Sequence, residues 1–92
     1  MEFLVRFESI PPATTTAEQL GEMKTAERAR ATELRADGIL KKLWRVPGRR
    51  AVIGLWEAPD ATVLHDALSS LPTFPWWQDV TVEPLAVHPQ EK

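Results

Sequence analysis

The stretch from Thr15 to Gly38, TTAEQLGEMKTAERARATELRADG, reads as one long amphipathic helix with marked ends, and the rest of the chain is organised around it. Thr15 followed by Glu18 has the spacing of a capping box, in which hydroxyl and carboxylate each satisfy an otherwise orphaned backbone N–H. Gly38 stands where a helix ends in a left-handed residue, a conformation that costs glycine no Cβ clash. At roughly 100° per residue, Leu20, Met23, Ala31 and Leu34 fall within a sector about 80° wide. Glu27 falls inside the same sector.

A carboxylate in the middle of a core-facing stripe has two readings. In one, Glu27 bends to the edge of its helix and pairs with Lys24 or Arg30. In the other, it stays beneath the helix, in a pocket between helix and sheet, where partial desolvation favours a carboxylate as proton acceptor. The sequence pattern leaves both open.

With 92 residues the chain forms one domain, small enough that association with other copies would help it bury apolar surface. A net charge of −2 does not suggest a nucleic-acid partner. The absence of cysteine excludes disulfides, thiolate metal sites and cysteine nucleophiles. Two well-separated histidines, His65 and His88, argue against a histidine-rich metal site. The N-terminal MEFLVRFESI has neither the basic start nor the long apolar run of a signal peptide, and no span reaches membrane length. The expected location is the cytoplasm.

Residues 2–10 alternate, with Phe3, Val5 and Phe7 set against Glu2, Arg6 and Glu8, which predicts a strand with one buried face. Pro11 and Pro12 end it, and the helix follows. Residues 39–46 and 49–57 flank Pro47-Gly48 and read as a hairpin closed by a two-residue turn. Pro59-Asp60 opens a second helix with Asp60 as N-cap. Ala61, Leu64, Leu68 and Leu71 form its apolar face, and Pro72 stops it. An aromatic connection over 72–78 leads to a last strand over 79–87, which Pro84 marks as broken or at an edge. The order β-α-β-β-α-β predicts an α+β, ferredoxin-like fold, an antiparallel sheet with two helices on one face. A two-residue turn would put Leu43, Val52 and Trp56 on the other, uncovered face, and an apolar strip there predicts pairing of subunits through their sheets.

The hairpin is basic, with Lys41, Lys42, Arg45, Arg49 and Arg50 close together. A solvated strand surface accounts for most of these charges. Arg45 and Arg50 would oppose each other across the turn, and a guanidinium can hold a substrate carboxylate through two parallel hydrogen bonds. Strand 49–57 lacks the glycine and aromatic pattern of RNA-binding sheets. Phe74-Pro75-Trp76-Trp77 reads as the seal of a core or an interface. His65 lies at the margin of the second helix's apolar face, either half-exposed without a chemical task or in contact with a ligand. His88, in the tail, could reach a neighbouring subunit, although nothing in the sequence requires it.

Leu43-Trp44-Arg45, Pro47-Gly48, Ala58-Pro59, Leu64-His65-Asp66, Leu71-Pro72 and Phe74-Pro75 together closely resemble the muconolactone isomerases, as do Lys24, Glu27 and His88-Pro89. The resemblance spans nearly the whole chain. It implies a ferredoxin-like fold in a ring-like decamer of paired subunits, no cofactor, and a place in aromatic catabolism through the β-ketoadipate route. The implied reaction moves the double bond of muconolactone to give 3-oxoadipate enol-lactone. Glu27 would shuttle the proton, while Lys24, Arg45 and Arg50 polarise or anchor the substrate, and Val52, Trp56 and His65 complete the candidate contacts. Dehalogenation of a chlorinated muconolactone needs the same proton abstraction and is a near neighbour. A catalytically idle homologue that binds a small ligand or serves assembly is the reading from another class. Family members acting on muconolactone usually carry tyrosine and asparagine where this chain has Arg50 and Val52. With a two-residue turn those positions face away from Glu27, so either a bulge shifts the register or different subunits build one pocket.

Overall fold

A computed structural model describes residues 1–91. Strands β1 (Glu2–Ser9), β2 (Leu40–Arg45), β3 (Ala51–Glu57) and β4 (Trp77–Leu85) and helices α1 (Ala17–Ala36) and α2 (Ala61–Ser69) follow the order β1-α1-β2-β3-α2-β4. The four strands form one antiparallel sheet in the order β2-β3-β1-β4. Phe3, Val5, Phe7 and Trp56 from the sheet pack with Leu34 of α1 and Leu64, Ala67 and Leu68 of α2, so both helices cover the same face. This is the ferredoxin-like arrangement expected from the sequence.

Helix α1 starts one residue later than the Thr15–Glu18 pattern suggests. Thr15 N–H is already committed to the Pro12 carbonyl in a turn, so Thr16 becomes the cap. Its hydroxyl accepts from Gln19 N–H, and the Gln19 side chain accepts from Thr16 N–H, which closes the capping box with glutamine in place of Glu18. At the other end Gly38 has φ +76°, and Gly38 and Ile39 donate back to Arg35 and Leu34, a Schellman ending that needs a left-handed residue. In α2, Asp60 accepts from Val63 N–H as N-cap. The buried side of α2 consists of Leu64, Ala67 and Leu68, with Leu71 buried just beyond the helix and Ala61 exposed.

The hairpin loop is longer than a two-residue turn. Arg49 N–H donates to Val46 O across Pro47-Gly48, and Gly48 has φ +76°. Proline followed by a left-handed glycine is a type II turn, whose twist opposes that of paired strands. Pairing therefore resumes only after Arg50: Val46 N–H donates to Ala51 O, and Arg45 stands opposite Val52 rather than Arg50.

The face assignment of Leu43, Val52 and Trp56 is also reversed. Strand β3 is apolar on both faces (Val52 and Trp56 on one, Ile53 and Leu55 on the other), so its own alternation carries no orientation. Pairing with β1 supplies it: Phe3 stands opposite Trp56, Val5 opposite Gly54 and Phe7 opposite Val52. The buried phase of β1 thus turns Val52 and Trp56 toward the helices, and Leu43, opposite Gly54, goes with them. The uncovered face instead carries Leu4, Ile53 and Leu55, with Trp44 46% exposed beside Ile53.

Strand β4 starts at Trp77, earlier than expected, and lies at the sheet edge, where Pro84 interrupts no ladder on its outer side. Its register slips between Arg6 and Glu8 of β1, and Asp79, at φ 52°, sits in that irregularity. From Gln78 to its end β4 is exposed. The radius of gyration, 14.2 Å, exceeds the about 12 Å of a compact chain this long. Among the described residues no helix is long and apolar enough to cross a membrane.

The observed cap makes a simple stability test. Thr16→Ala is expected to lower unfolding free energy by about 1 kcal/mol in urea titration, and Thr15→Ala to change it by less than about 0.5 kcal/mol. Equal effects would contradict the assigned helix start.

Candidate active site

Where α1 crosses β1, β2 and β3, the side chains at Ala31 and Val52 are short, and a cavity of about 510 Å³ opens between helix and sheet. Its size suits a small organic ligand. Phe7, Leu40, Leu43, Val52 and Trp56 give it an apolar floor, and Leu71 and Thr73 close one side. Glu27, half-buried in the middle of α1, lines it.

Glu27 is held from one direction by one residue. Thr73 donates its backbone N–H to Oε1 at 3.1 Å and its hydroxyl to Oε2 at 2.6 Å. The Thr73 hydroxyl in turn accepts from Trp77 Nε1–H at 3.0 Å, which directs its own hydrogen toward the carboxylate. Trp77 is fixed by stacking on Phe7, centroids 3.6 Å apart and planes 8° apart, and by Phe74 at 5.2 Å. The aromatic segment after α2 therefore does more than seal the core: it sets the threonine that orients the carboxylate. Each Glu27 oxygen accepts one of these bonds, and its remaining lone pair is free for a proton or a donor. Arg30, a possible partner for Glu27 from sequence, pairs instead with Glu33 at 3.0 Å and donates to Ser70.

Lys24, Arg28 and Arg35 follow one side of α1 and line the same cavity. Among the described residues the salt bridges are Arg30–Glu33 and Arg49–Glu8, so these three cations meet no carboxylate within salt-bridge range. Three cations against the single Glu27 carboxylate make the cavity suited to an anion. Their spacing of four and seven residues repeats on a helix face, a signal the basic hairpin masks in the sequence. Thr73 leaves a fainter trace, as the one hydroxyl between Leu71-Pro72 and the aromatic run.

Of the residues singled out in the sequence, Glu27, Lys24, Val52 and Trp56 come together around the cavity. Arg45 does not line it, although it stands opposite Val52 on the same sheet face. Arg50 belongs to a separate shallow depression with Glu8, Ile10, Gly48 and Arg49. His65 is exposed and meets the edge of Phe74, centroids 6.1 Å apart. Trp56 is 1% exposed, and its Nε1–H has no partner, which costs about 1–3 kcal/mol for a buried donor. Among the described residues no group of three or more His, Cys, Asp or Glu is arranged to hold a metal ion.

The chain matches the family described as muconolactone delta-isomerase over residues 1–91. It is 38% identical over 77 residues to muconolactone delta-isomerase 2 of Acinetobacter lwoffii, covering 84% of this chain and 79% of that one. It is 36% identical over 89 residues to muconolactone delta-isomerase of Cupriavidus pinatubonensis, covering 97% and 96%. A crystal structure of muconolactone isomerase superposes with a TM-score of 0.84 at 32% identity, covering 97% of this chain and 92% of the other. This chain belongs to the muconolactone delta-isomerase family.

Proposed function

We propose that this protein is an isomerase that shifts the double bond of muconolactone, or of a closely related anionic lactone, in the breakdown of aromatic compounds. The observation that carries the reading is the Glu27 carboxylate held by Thr73 at the wall of a cavity rimmed by Lys24, Arg28 and Arg35. In the reaction Glu27 takes a proton from one ring carbon, and the C–H electron pair moves through the double bond onto the lactone carbonyl oxygen. The same carboxyl then delivers the proton to the carbon at the other end, and the carbonyl re-forms. Atoms and electrons balance with one carboxylate, so the step requires no cofactor or metal.

The helix cations have a distinct task in this reading. Arg28 and Arg35 hold the substrate's free carboxylate, and Lys24, one turn before Glu27, adds positive potential where negative charge develops. Arg45, opposite Val52 but outside the cavity lining, adds basic charge nearby, whereas Arg50 and His65 would act only from a neighbouring subunit. The chain is also proposed to work as a homo-oligomer in the cytoplasm, as in the decamer implied by the family. The uncovered sheet face with Trp44, Ile53 and Leu55, together with the exposed β4, supports association.

Glu27→Gln, close in shape and able to keep a bond to Thr73, is expected to lower kcat on muconolactone by about 10²–10⁴-fold with an unchanged circular dichroism spectrum. Full activity in that variant would remove Glu27 from the mechanism. Thr73→Val deletes one hydrogen bond to the carboxylate and is expected to lower kcat about tenfold, with Thr73→Ser restoring most of it. Arg28→Ala and Arg35→Ala should each raise KM about tenfold while kcat changes little. The substrate panel should include chlorinated muconolactones, since chloride release there would redirect the assignment toward dehalogenation. Light scattering at micromolar concentration is expected to give a multiple of the 10.4 kDa chain mass; a stable monomer would refute the assembly.

A further inference from the structure

We infer that the Trp56 indole N–H receives the negative charge that develops on the substrate's carbonyl oxygen, and that Gly54 is the residue that lets it stand there. The inference rests on the isomerase reading above. Among the described residues, Trp56 Nε1 is the one buried side-chain nitrogen or oxygen on a non-exposed residue without a hydrogen-bond partner. Its surroundings explain how it can be left so. Gly54 lies between Val52 and Trp56 on the cavity side of β3, and a Cβ built on it would come within 2.5 Å of Nε1, 3.1 Å of Trp56 Cδ1 and 3.2 Å of Leu43 Cδ2. The N–H edge of the indole thus occupies the space that any other residue at 54 would fill, beside Leu43 and Val52, which line the cavity with Glu27.

Several other polar groups of the cavity are already in use, and Arg28 and Arg35 are assigned above to the substrate's free carboxylate. Thr73 spends both of its donors on Glu27, Trp77 donates to Thr73, and the Thr32 hydroxyl donates to the Arg28 carbonyl. Lys24 is exposed, so water competes for its ammonium. An indole N–H is a donor only, carries no charge to repel an incoming proton, and needs no reorientation when packed. Nε1 is closed to water in the empty protein, so a substrate oxygen reaches it only when Leu43, 41% exposed and packed beside it, moves aside. In that dry contact it binds an enolate oxygen more strongly than a neutral carbonyl, the difference that speeds a reaction rather than merely binding substrate.

Trp56→Phe keeps a ring in place and removes the donor. In the full-length protein with muconolactone as substrate, kcat should fall about 10–100-fold and KM should stay within about twofold. Gly54→Ala, which displaces the indole, should act in the same direction, and the double variant should be no slower than Trp56→Phe, because both changes remove one contact. Should Trp56→Phe fail to fold, Gly54→Ala with Trp56 retained carries the kinetic test. In ¹⁵N spectra of the Glu27→Gln protein, the indole resonance missing from Trp56→Phe should move downfield when muconolactone is added. Unchanged kcat, a rise in KM alone, or an indole resonance indifferent to saturating muconolactone would overturn the inference and leave the isomerase reading standing. A wild-type protein with no turnover on any muconolactone would overturn both.

Discussion

The pairing of β1 with β3 is the constraint on which the rest of the molecule depends. β1 has a clear buried phase, Phe3, Val5 and Phe7, and lies between β3 and β4 in the sheet. Because directly paired residues point to the same side, that phase is imposed on β3 and passes on to β2. Trp56, Gly54 and Val52 are turned under the helices as a consequence, and Ile53 and Leu55 to the outside. A slip of one residue would exchange the two sets. It would place Ile53 and Leu55 beneath Glu27 and leave the indole of Trp56 in solvent.

Given that sheet, the cavity results from unequal helix packing. Leu34, near the end of α1, is 1% exposed and anchors the helix to the core, whereas Leu20, Met23 and Glu27 are only half-buried. The first part of α1 therefore stands over the sheet without filling the space beneath, and the carboxylate lies at the boundary between core and opening. A carboxylate there is kept in place by a buried neighbour: Thr73 is 9% exposed and binds both oxygens. The two contacts come from one residue's backbone and side chain, so a single segment after α2 governs the orientation of the group. The stack of Trp77 on Phe7 links that segment back to β1.

Charge completes the division of labour. The two salt bridges among the described residues, Arg30–Glu33 and Arg49–Glu8, lie away from the cavity, and surface pairs of this kind add little stability. Lys24, Arg28 and Arg35 remain without such partners beside Glu27, where mutual repulsion is tolerated only because water screens them. An arrangement that contributes little to folding but attracts an anion into an apolar cavity makes sense as a binding device. The unpaired indole donor of Trp56 has the same character, a cost to the empty protein that a ligand oxygen would remove.

Much of the architecture was legible in the residues themselves. The alternation of β1, the glycine that ends α1, the Asp60 cap and the Pro84 edge are local signals with local causes, and the element order follows from them. The position of Glu27 in the apolar stripe of α1 was equally visible, since helical periodicity is a property of the chain alone. Which face of β3 meets the helices was not visible, because Val52, Ile53, Leu55 and Trp56 make both phases apolar and only the neighbouring strand can choose. The loop after β2 looked two residues long because Pro-Gly reports a turn but not the twist that pairing strands require. Thr73, 46 residues from Glu27 along the chain, and the cations of α1 became a site only when folding set them around one opening. Local backbone preference and periodicity thus determined the elements and the acid. Long-range pairing and packing, which no short stretch encodes, decided what that acid faces.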